Sequence, residues 1–255
     1  MEREVYQRIR ELEQAHWWFT ARREILADQI ARLGLPANAN ILEVGCGTGG
    51  NLEMLGRFGM VCAIEPDDEA RAYAANRSGV TVRGGLLPND LPAFGCAFDL
   101  VAAFDVIEHV DDDVSSLAAL AQLLQAGGRL IATVPANQWM WSEHDVHHHH
   151  KRRYELSQFA AVLAEAGLEL RKATYFNTLL FPVIGAVRLS KRALRLAGGD
   201  DESMPGPLVN GVLRRVFAAE RGLLRGADLP FGVSILAIAQ RPVRADEGPS
   251  VGRTH

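Results

Sequence analysis

Glu108 and His109 stand three and four residues after Asp105, the spacing that brings side chains onto one face of a helical turn. Two carboxylates and an imidazole converging there can hold a divalent ion. A second set of imidazoles lies in the stretch Trp-Met-Trp-Ser-Glu-His-Asp-Val-His-His-His-His-Lys-Arg-Arg-Tyr at 139–154. His144 and His150 are its candidate functional members, and His147 to His149 read as substitutable loop. Asp105, Glu108, His109 and His144 form the candidate metal set. Neutral imidazole also takes up protons near neutral pH, so His109, His144 and His150 are candidate general bases. The plainest alternative is a solvated loop, because histidine runs are tolerated on surfaces. Arg152 and Arg153 either bind an anionic group of a substrate or pair with acids of the same loop.

Residues 41–49, Ile-Leu-Glu-Val-Gly-Cys-Gly-Thr-Gly, offer a different chemistry. An apolar run of strand type feeds a glycine turn, and a helical pattern opens at Asn51. Glycine has no Cβ to hold a ligand off the backbone, so this arrangement suits a nucleotide-like cofactor. Gly45, Gly47 and Gly50 also satisfy the dinucleotide pattern, with Glu65 twenty residues on. Glu43 argues against that choice. A carboxylate two residues before the first glycine would be repelled by a pyrophosphate and would welcome a positively charged cofactor. S-adenosylmethionine carries a sulfonium and an ammonium and no phosphate.

Three ordered segments now agree: Ile41 to Gly49, Asp105 to Val110, and Leu123 to Pro135. Together they resemble the class I S-adenosylmethionine-dependent methyltransferases, over roughly residues 38–175. The resemblance implies a Rossmann-like α/β fold with a seven-stranded, mostly parallel sheet, an antiparallel last strand and helices on both faces. It also implies a cofactor site at Glu43, Gly45, Cys46, Gly47, Gly49, Asn51, Glu65, Pro66, Gly85, Leu86, Phe104 and Asp105. Glu65, ending a strand, can accept the ribose hydroxyls. Small-RNA 2′-O-methyltransferases carry Glu-x-x-Glu-His where this chain has Asp105-x-x-Glu108-His109, with a further histidine after the fifth strand. There the residues hold a divalent ion that grips two vicinal hydroxyls. Ubiquinone-pathway O-methyltransferases carry a similar segment. Here the first carboxylate is Asp, which shortens its reach, and a Glu-His pair also occurs in metal-free relatives.

Composition sets the outer bounds. The chain has 255 residues, 48% of them hydrophobic and 23% charged, ordinary for one sizeable core. A net charge of −4 gives no support to a general nucleic-acid-binding role. Cys46, Cys62 and Cys96 are widely spaced and odd in number, which favours a reducing, cytoplasmic setting. No apolar run has the length of a membrane span.

These side chains need a scaffold, and the pattern supplies one. Residues 2–33 read as two helical pieces broken near His16-Trp-Trp-Phe19. They form an N-terminal extension over 1–37 that serves as an anchor or a lid. Strands are expected at 40–44, 60–64, 80–82, 98–104, 129–134, 168–175 and 231–239. Helices are expected between them at 50–57, 67–76, 113–125 and 156–166. The main domain spans 38–240. A helical insertion at about 177–225, in two pieces (178–197 and 207–225), interrupts the alternation, and the tail from 241 reads as disordered. The insertion is a candidate selector of the methyl acceptor. Its helix is apolar at Phe176 to Val187 and basic at Arg188, Lys191, Arg192 and Arg195. It can pack as a cap or touch an anionic membrane surface. The expected activity is methyl transfer to a small molecule, through oxygen, with a divalent ion at the acceptor site. A nicotinamide-dependent oxidoreductase and a non-catalytic cofactor-binding domain are the rivals.

Overall fold

In a computed structural model of the chain, residues 3–194 and 203–243 are described. Helices α1 (Arg3–Leu12) and α2 (Trp17–Ala31) come first. They break at His16, whose Nδ1 accepts the Trp18 N–H at 3.3 Å and caps α2. Then β1 (Ala39–Val44), α3 (Leu52–Leu55), β2 (Gly59–Ile64), α4 (Asp68–Ser78), β3 (Thr81–Arg83), β4 (Phe98–Phe104), α5 (Asp113–Leu123) and β5 (Leu124–Pro135) alternate. After β5 come α6 (Glu143–His147), α7 (Leu156–Glu165), β6 (Glu169–Phe176), α8 (Phe181–Ala193), α9 (Pro207–Leu223) and β7 (Ser234–Gln240).

The strands form a seven-stranded sheet in the order β3-β2-β1-β4-β5-β7-β6. The first five pair in parallel, and β7 lies antiparallel between β5 and β6. Successive side chains on a strand point to opposite faces, so each central strand feeds two cores. On β1, Leu42 and Val44 join the layer built with Leu117, Leu120, Phe159 and Leu163 of α5 and α7. Ile41 joins the opposite layer with Ile25, Leu26 and Ile30 of α2 and Phe217 of α9. The three α2 side chains are fully buried, each contributing about 1.5–3 kcal/mol. Helix α2 is therefore part of the core. Helix α9 packs on it, with Trp17 edge-on to Phe217 at 5.9 Å and Asn210 Oδ1 accepting the Trp17 N–H at 2.8 Å.

Some boundaries differ from the sequence expectation. Strand β5 begins at Leu124, five residues before the expected 129. Leu124 is fully buried opposite Phe98, and a register shift on β4 accommodates the early start. Helix α3 is a single turn. Helix α6 was not anticipated. It rests on a capping box between Ser142 and Asp145, a short-range signal hidden inside the histidine run. Strand β7 starts at Ser234, not 231. The expected tail, apart from 241–243, and the end of the first insertion helix, including Arg195, lie outside the described residues. Among the described residues no helix is long and apolar enough to cross a membrane.

Candidate active site

The glycine turn follows β1 at the carboxyl edge of the sheet. Gly45 has φ +66°, and a Cβ there would stand 2.7 Å from Val106 Cγ2. Only glycine lets this turn lie against the loop after β4. The Gly47 N–H donates to Glu65 Oε2 at 2.8 Å, and Glu65 Oε1 accepts the Asp67 N–H at 3.0 Å. Tyr6 of α1 donates to the same Oε1 at 2.9 Å. Asn51 donates to Glu43 Oε1 at 2.8 Å, while Glu43 Oε2 is buried without a partner. Burial pushes the Glu43 carboxyl up to about 8.

A cavity of about 720 Å³ runs from this turn to the histidine loop. Of the expected cofactor residues, Gly45, Cys46, Gly47, Asn51, Glu65, Pro66, Gly85, Leu86, Phe104 and Asp105 line it. Glu43 stands behind Asn51, and Gly49 packs against Leu52 and Ala74; neither is part of the lining. His16, Trp17, Trp18 and Phe19 all line the cavity, so the aromatic cluster both anchors α2 and walls the site.

The far end holds the titratable groups. Asp105 follows β4 with φ +56°, a left-handed backbone conformation. It accepts from Arg22 Nη2 at 2.6 Å and from Thr133 Oγ1 at 3.0 Å. Glu108 is fully buried, and neither carboxylate oxygen has a hydrogen-bond partner. Burial, with the nearby Asp105 charge, raises its carboxyl well above the usual range. Burial and the adjacent His150 ring lower His109 to about 4. The Lys151 N–H donates to the Glu108 carbonyl at 2.8 Å, fastening the histidine loop to the turn after β4. As a result His150 lies beside His109, with ring centroids 4.8 Å apart. His150 Nε2 is 3.9 Å from Glu108 Oε1.

One ligand atom each from Glu108, His109 and His150 lies within 4.8 Å of the others. That is a donor set suited to a divalent ion. The expected set is thus rearranged: Asp105 turns to Arg22, and His144 stands outside the triad, 4.2 Å from His148 between ring centroids. His144 still lines the cavity. Arg153 takes the expected pairing with an acid of its own loop, while Arg152 pairs instead with Asp113 at the start of α5. Arg152 bonds Asp113 at 2.9 Å, and Arg153 grips Asp145 through Nε at 2.8 Å and Nη2 at 3.0 Å.

Four site residues escaped the sequence reading. Tyr6 sits on the amphipathic α1 and Arg22 on the apolar-polar mixture of α2, where neither residue type signals a site by itself. Asp145 was obscured by its histidine neighbours. Asn177, between β6 and α8, is 1% exposed, has φ +57° and lines the cavity with both carboxamide atoms unpartnered. An Asn following a strand of predicted type is a turn signal that fits such a φ.

A family model described as "Methyltransferase domain" matches residues 18–173. A ubiquinone biosynthesis O-methyltransferase of Xanthomonas axonopodis pv. citri is 33% identical over 177 residues, covering 62% of this chain and 73% of that protein. Among solved structures, an S-adenosylmethionine-dependent methyltransferase from Clostridium acetobutylicum superposes with TM-score 0.56 at 12% identity, over 88% of this chain and 92% of the other. The [4+2]-cyclase SpnF superposes with TM-score 0.55 at 20% identity, over 87% and 81%. The shared fold is therefore compatible with more than one chemistry, and the site must decide.

Proposed function

The chain belongs to the S-adenosylmethionine-dependent methyltransferases, and from that premise we propose that it methylates an oxygen of a small, largely apolar molecule. The observation that carries this reading is the continuity of one cavity. The glycine turn and Glu65 stand at one end, and Glu108, His109 and His150 at the other. The wall between them includes Leu180, Val183, Ile184 and Leu213 from the insertion. The relative that acts as an O-methyltransferase supports oxygen as the acceptor atom.

In this reading Glu65 accepts the ribose hydroxyls, and Asn51, held by Glu43, faces the methionine end. The acceptor oxygen attacks the methyl carbon in line with the C–S bond. An O–C bond forms, the C–S bond breaks, and its electron pair stays on sulfur as S-adenosylhomocysteine leaves. Holding the three atoms in line supplies much of the rate. Glu108, His109 and His150 would hold a divalent ion, which when bound supplies Lewis-acid stabilisation of the acceptor oxyanion. The orphaned Glu108 oxygens and the neutral His109 fit that role. His144, on the same wall, takes the hydroxyl proton. Asn177 meets a second polar group of the acceptor.

The cap supports an apolar acceptor in another way. Val183 and Val187 line the cavity and are also exposed at its mouth, and Leu208, Val209 and Val212 of α9 are exposed too. Such a surface suits entry of a hydrophobic molecule or contact with a membrane face. Co-sedimentation of the full chain with anionic liposomes tests that contact, and its absence removes it.

The activity is tested with radiolabelled S-adenosylmethionine against catechols, aliphatic alcohols, amines and thiols, in chelator and with added Mg²⁺, Mn²⁺ or Zn²⁺. Metal-stimulated transfer to oxygen is the expected result. Transfer only to nitrogen or sulfur, or full activity in chelator with no ion bound, overturns the acceptor or the metal respectively.

A further inference from the structure

The loop between β5 and α7 contains a buried charge network that the methyl-transfer reading leaves unused. Asp145 is fully buried. Its Oδ1 accepts from Arg153 Nε at 2.8 Å and lies 2.8 Å from His150 Nδ1. Its Oδ2 accepts from Arg153 Nη2 at 3.0 Å and from the Ser142 N–H at 2.8 Å. Arg153 is itself buried, and its Nη1 donates to the Ala136 carbonyl at 3.0 Å, at the end of β5. The guanidinium therefore fixes the Asp145 carboxylate to the sheet. A buried ion pair of this kind is weak evidence for stability, since packed apolar residues often do as well. What it does supply is orientation.

The other groups on the Asp145 carboxylate are all donors, and two of those bonds come from the buried Arg153 guanidinium that pairs its charge. An ionised carboxylate only accepts, so the shared hydrogen sits on His150 Nδ1. In the neutral ring the lone pair then belongs to Nε2, which faces Glu108 and His109. The His150 N–H also donates to the Asp145 carbonyl at 2.8 Å, so main chain and ring are registered on the same residue.

We propose that Asp145, clamped by Arg153, is a positioning residue that fixes His150 as the Nδ1–H tautomer and aims its Nε2 lone pair at Glu108 and His109. The importance of that aim rests on the acceptor-site reading above; the tautomer itself does not. Partners of this kind orient and strengthen ligating imidazoles in metal sites, and their loss weakens metal binding about 10–100-fold.

The test is a two-bond ¹H–¹⁵N correlation spectrum of the full chain labelled with ¹⁵N-histidine, in chelator, with His150→Gln to assign the ring. The expected wild-type spectrum has His150 protonated at Nδ1 and bare at Nε2. Asp145→Asn should move the proton to Nε2. Because the new amide hydrogens would face donors, that variant can fail to fold. The double variant Asp145→Leu/Arg153→Met removes both charges together and should show the same move. A wild-type ring protonated at Nε2 overturns the proposal, as does an Nδ1–H ring unchanged in the double variant. Titration with Zn²⁺ separates the two readings. Expected is an Nε2 shift in wild type and about 10–100-fold weaker binding in the double variant. A correct tautomer with no Zn²⁺ binding upholds this proposal and overturns the metal site. Zn²⁺ bound with the wrong tautomer does the reverse.

Discussion

Arg22 donates through Nη2 to Asp105 Oδ2 at 2.6 Å and to Thr133 Oγ1 at 2.7 Å, so one guanidinium of α2 ties the ends of β4 and β5 together inside the cavity. Its Nε has no partner. In the proposed reading the methionine end of the cofactor, which carries a carboxylate, lies along the stretch of wall where Arg22 is buried. Arg22→Met keeps the apolar stem and removes the charge. Thermal or urea unfolding should show a loss of about 1.5–3 kcal/mol. Calorimetry at a temperature where the variant is folded should show S-adenosylmethionine binding weakened more than tenfold. Unchanged affinity in a folded variant would reduce Arg22 to a structural tie.

Glu43 predicts a pH dependence of the ligand-free protein. Its carboxyl stands at about 8 in the folded chain against 4.5 as the ordinary value, because it is buried with one oxygen unpaired. A raised folded value means that the folded state holds a proton the unfolded state has already lost. The associated stability is present below about 4.5 and drains away as pH rises through 8. His109, lowered to about 4, has the opposite sign, because the unfolded ring takes up its proton first as pH falls below 6.5. From pH 6.5 to 8 Glu43 therefore acts without His109. Wild type should lose about 1–2 kcal/mol across that window through Glu43. Glu43→Gln should remove that part of the slope. Parallel slopes for the two proteins would contradict the burial argument.

The cofactor half of the site was more legible in the sequence than the acceptor half, for a physical reason. A glycine turn between a strand and a helix is a local device. Gly45 and Gly47 take a left-handed backbone that the glycines themselves signal, even though Val106 packs against Gly45 from the distant loop after β4. The acceptor half is assembled from segments far apart in sequence. Arg22 meets Asp105 across 83 residues, and the His150 loop meets Glu108 through a main-chain bond from Lys151. Helical spacing at 105–109 grouped Glu108 with His109, and their ligand atoms do lie within 4.8 Å of each other. It could not show that Asp105 was already engaged by a helix from the N-terminus. Nor could it show that Asp145 would bind His150 and leave His144 beside His148. The parallel part of the sheet was likewise readable from alternation, while the antiparallel last strand came only from the family resemblance. The early start of β5 depended on a tertiary partner, Phe98, and was not readable.

Asn177 gives a test of acceptor recognition. Its left-handed backbone suits Asn or Gly, and its buried carboxamide is unsatisfied on the cavity wall. An unmet donor and acceptor at such a place is costly unless a ligand completes them. Asn177→Gly preserves the backbone geometry and deletes the carboxamide. Stability should change by no more than about 1 kcal/mol. S-adenosylmethionine affinity should be unchanged, while KM for any acceptor turned over by the wild type should rise about tenfold. A loss of cofactor affinity instead would move Asn177 to the other end of the cavity.

Glu108 separates a site built for a ligand from one built for stability. A fully buried carboxyl with two unpartnered oxygens destabilises the empty protein once it ionises. Its value in the folded state is raised, so this burden grows as pH rises, by the same sign rule as for Glu43. Glu108→Gln keeps the shape and the main-chain bond from Lys151 and cannot ionise. In chelator the variant should melt above wild type, and the gap should widen from pH 6 to 8. Zn²⁺ or Mn²⁺ binding and methyl transfer to oxygen should fall by at least tenfold. A residue held only for folding would behave the other way, with a lower melting temperature and intact ion binding. Gain of stability together with loss of binding is the signature expected where a side chain is strained in the free protein and relieved by what it holds.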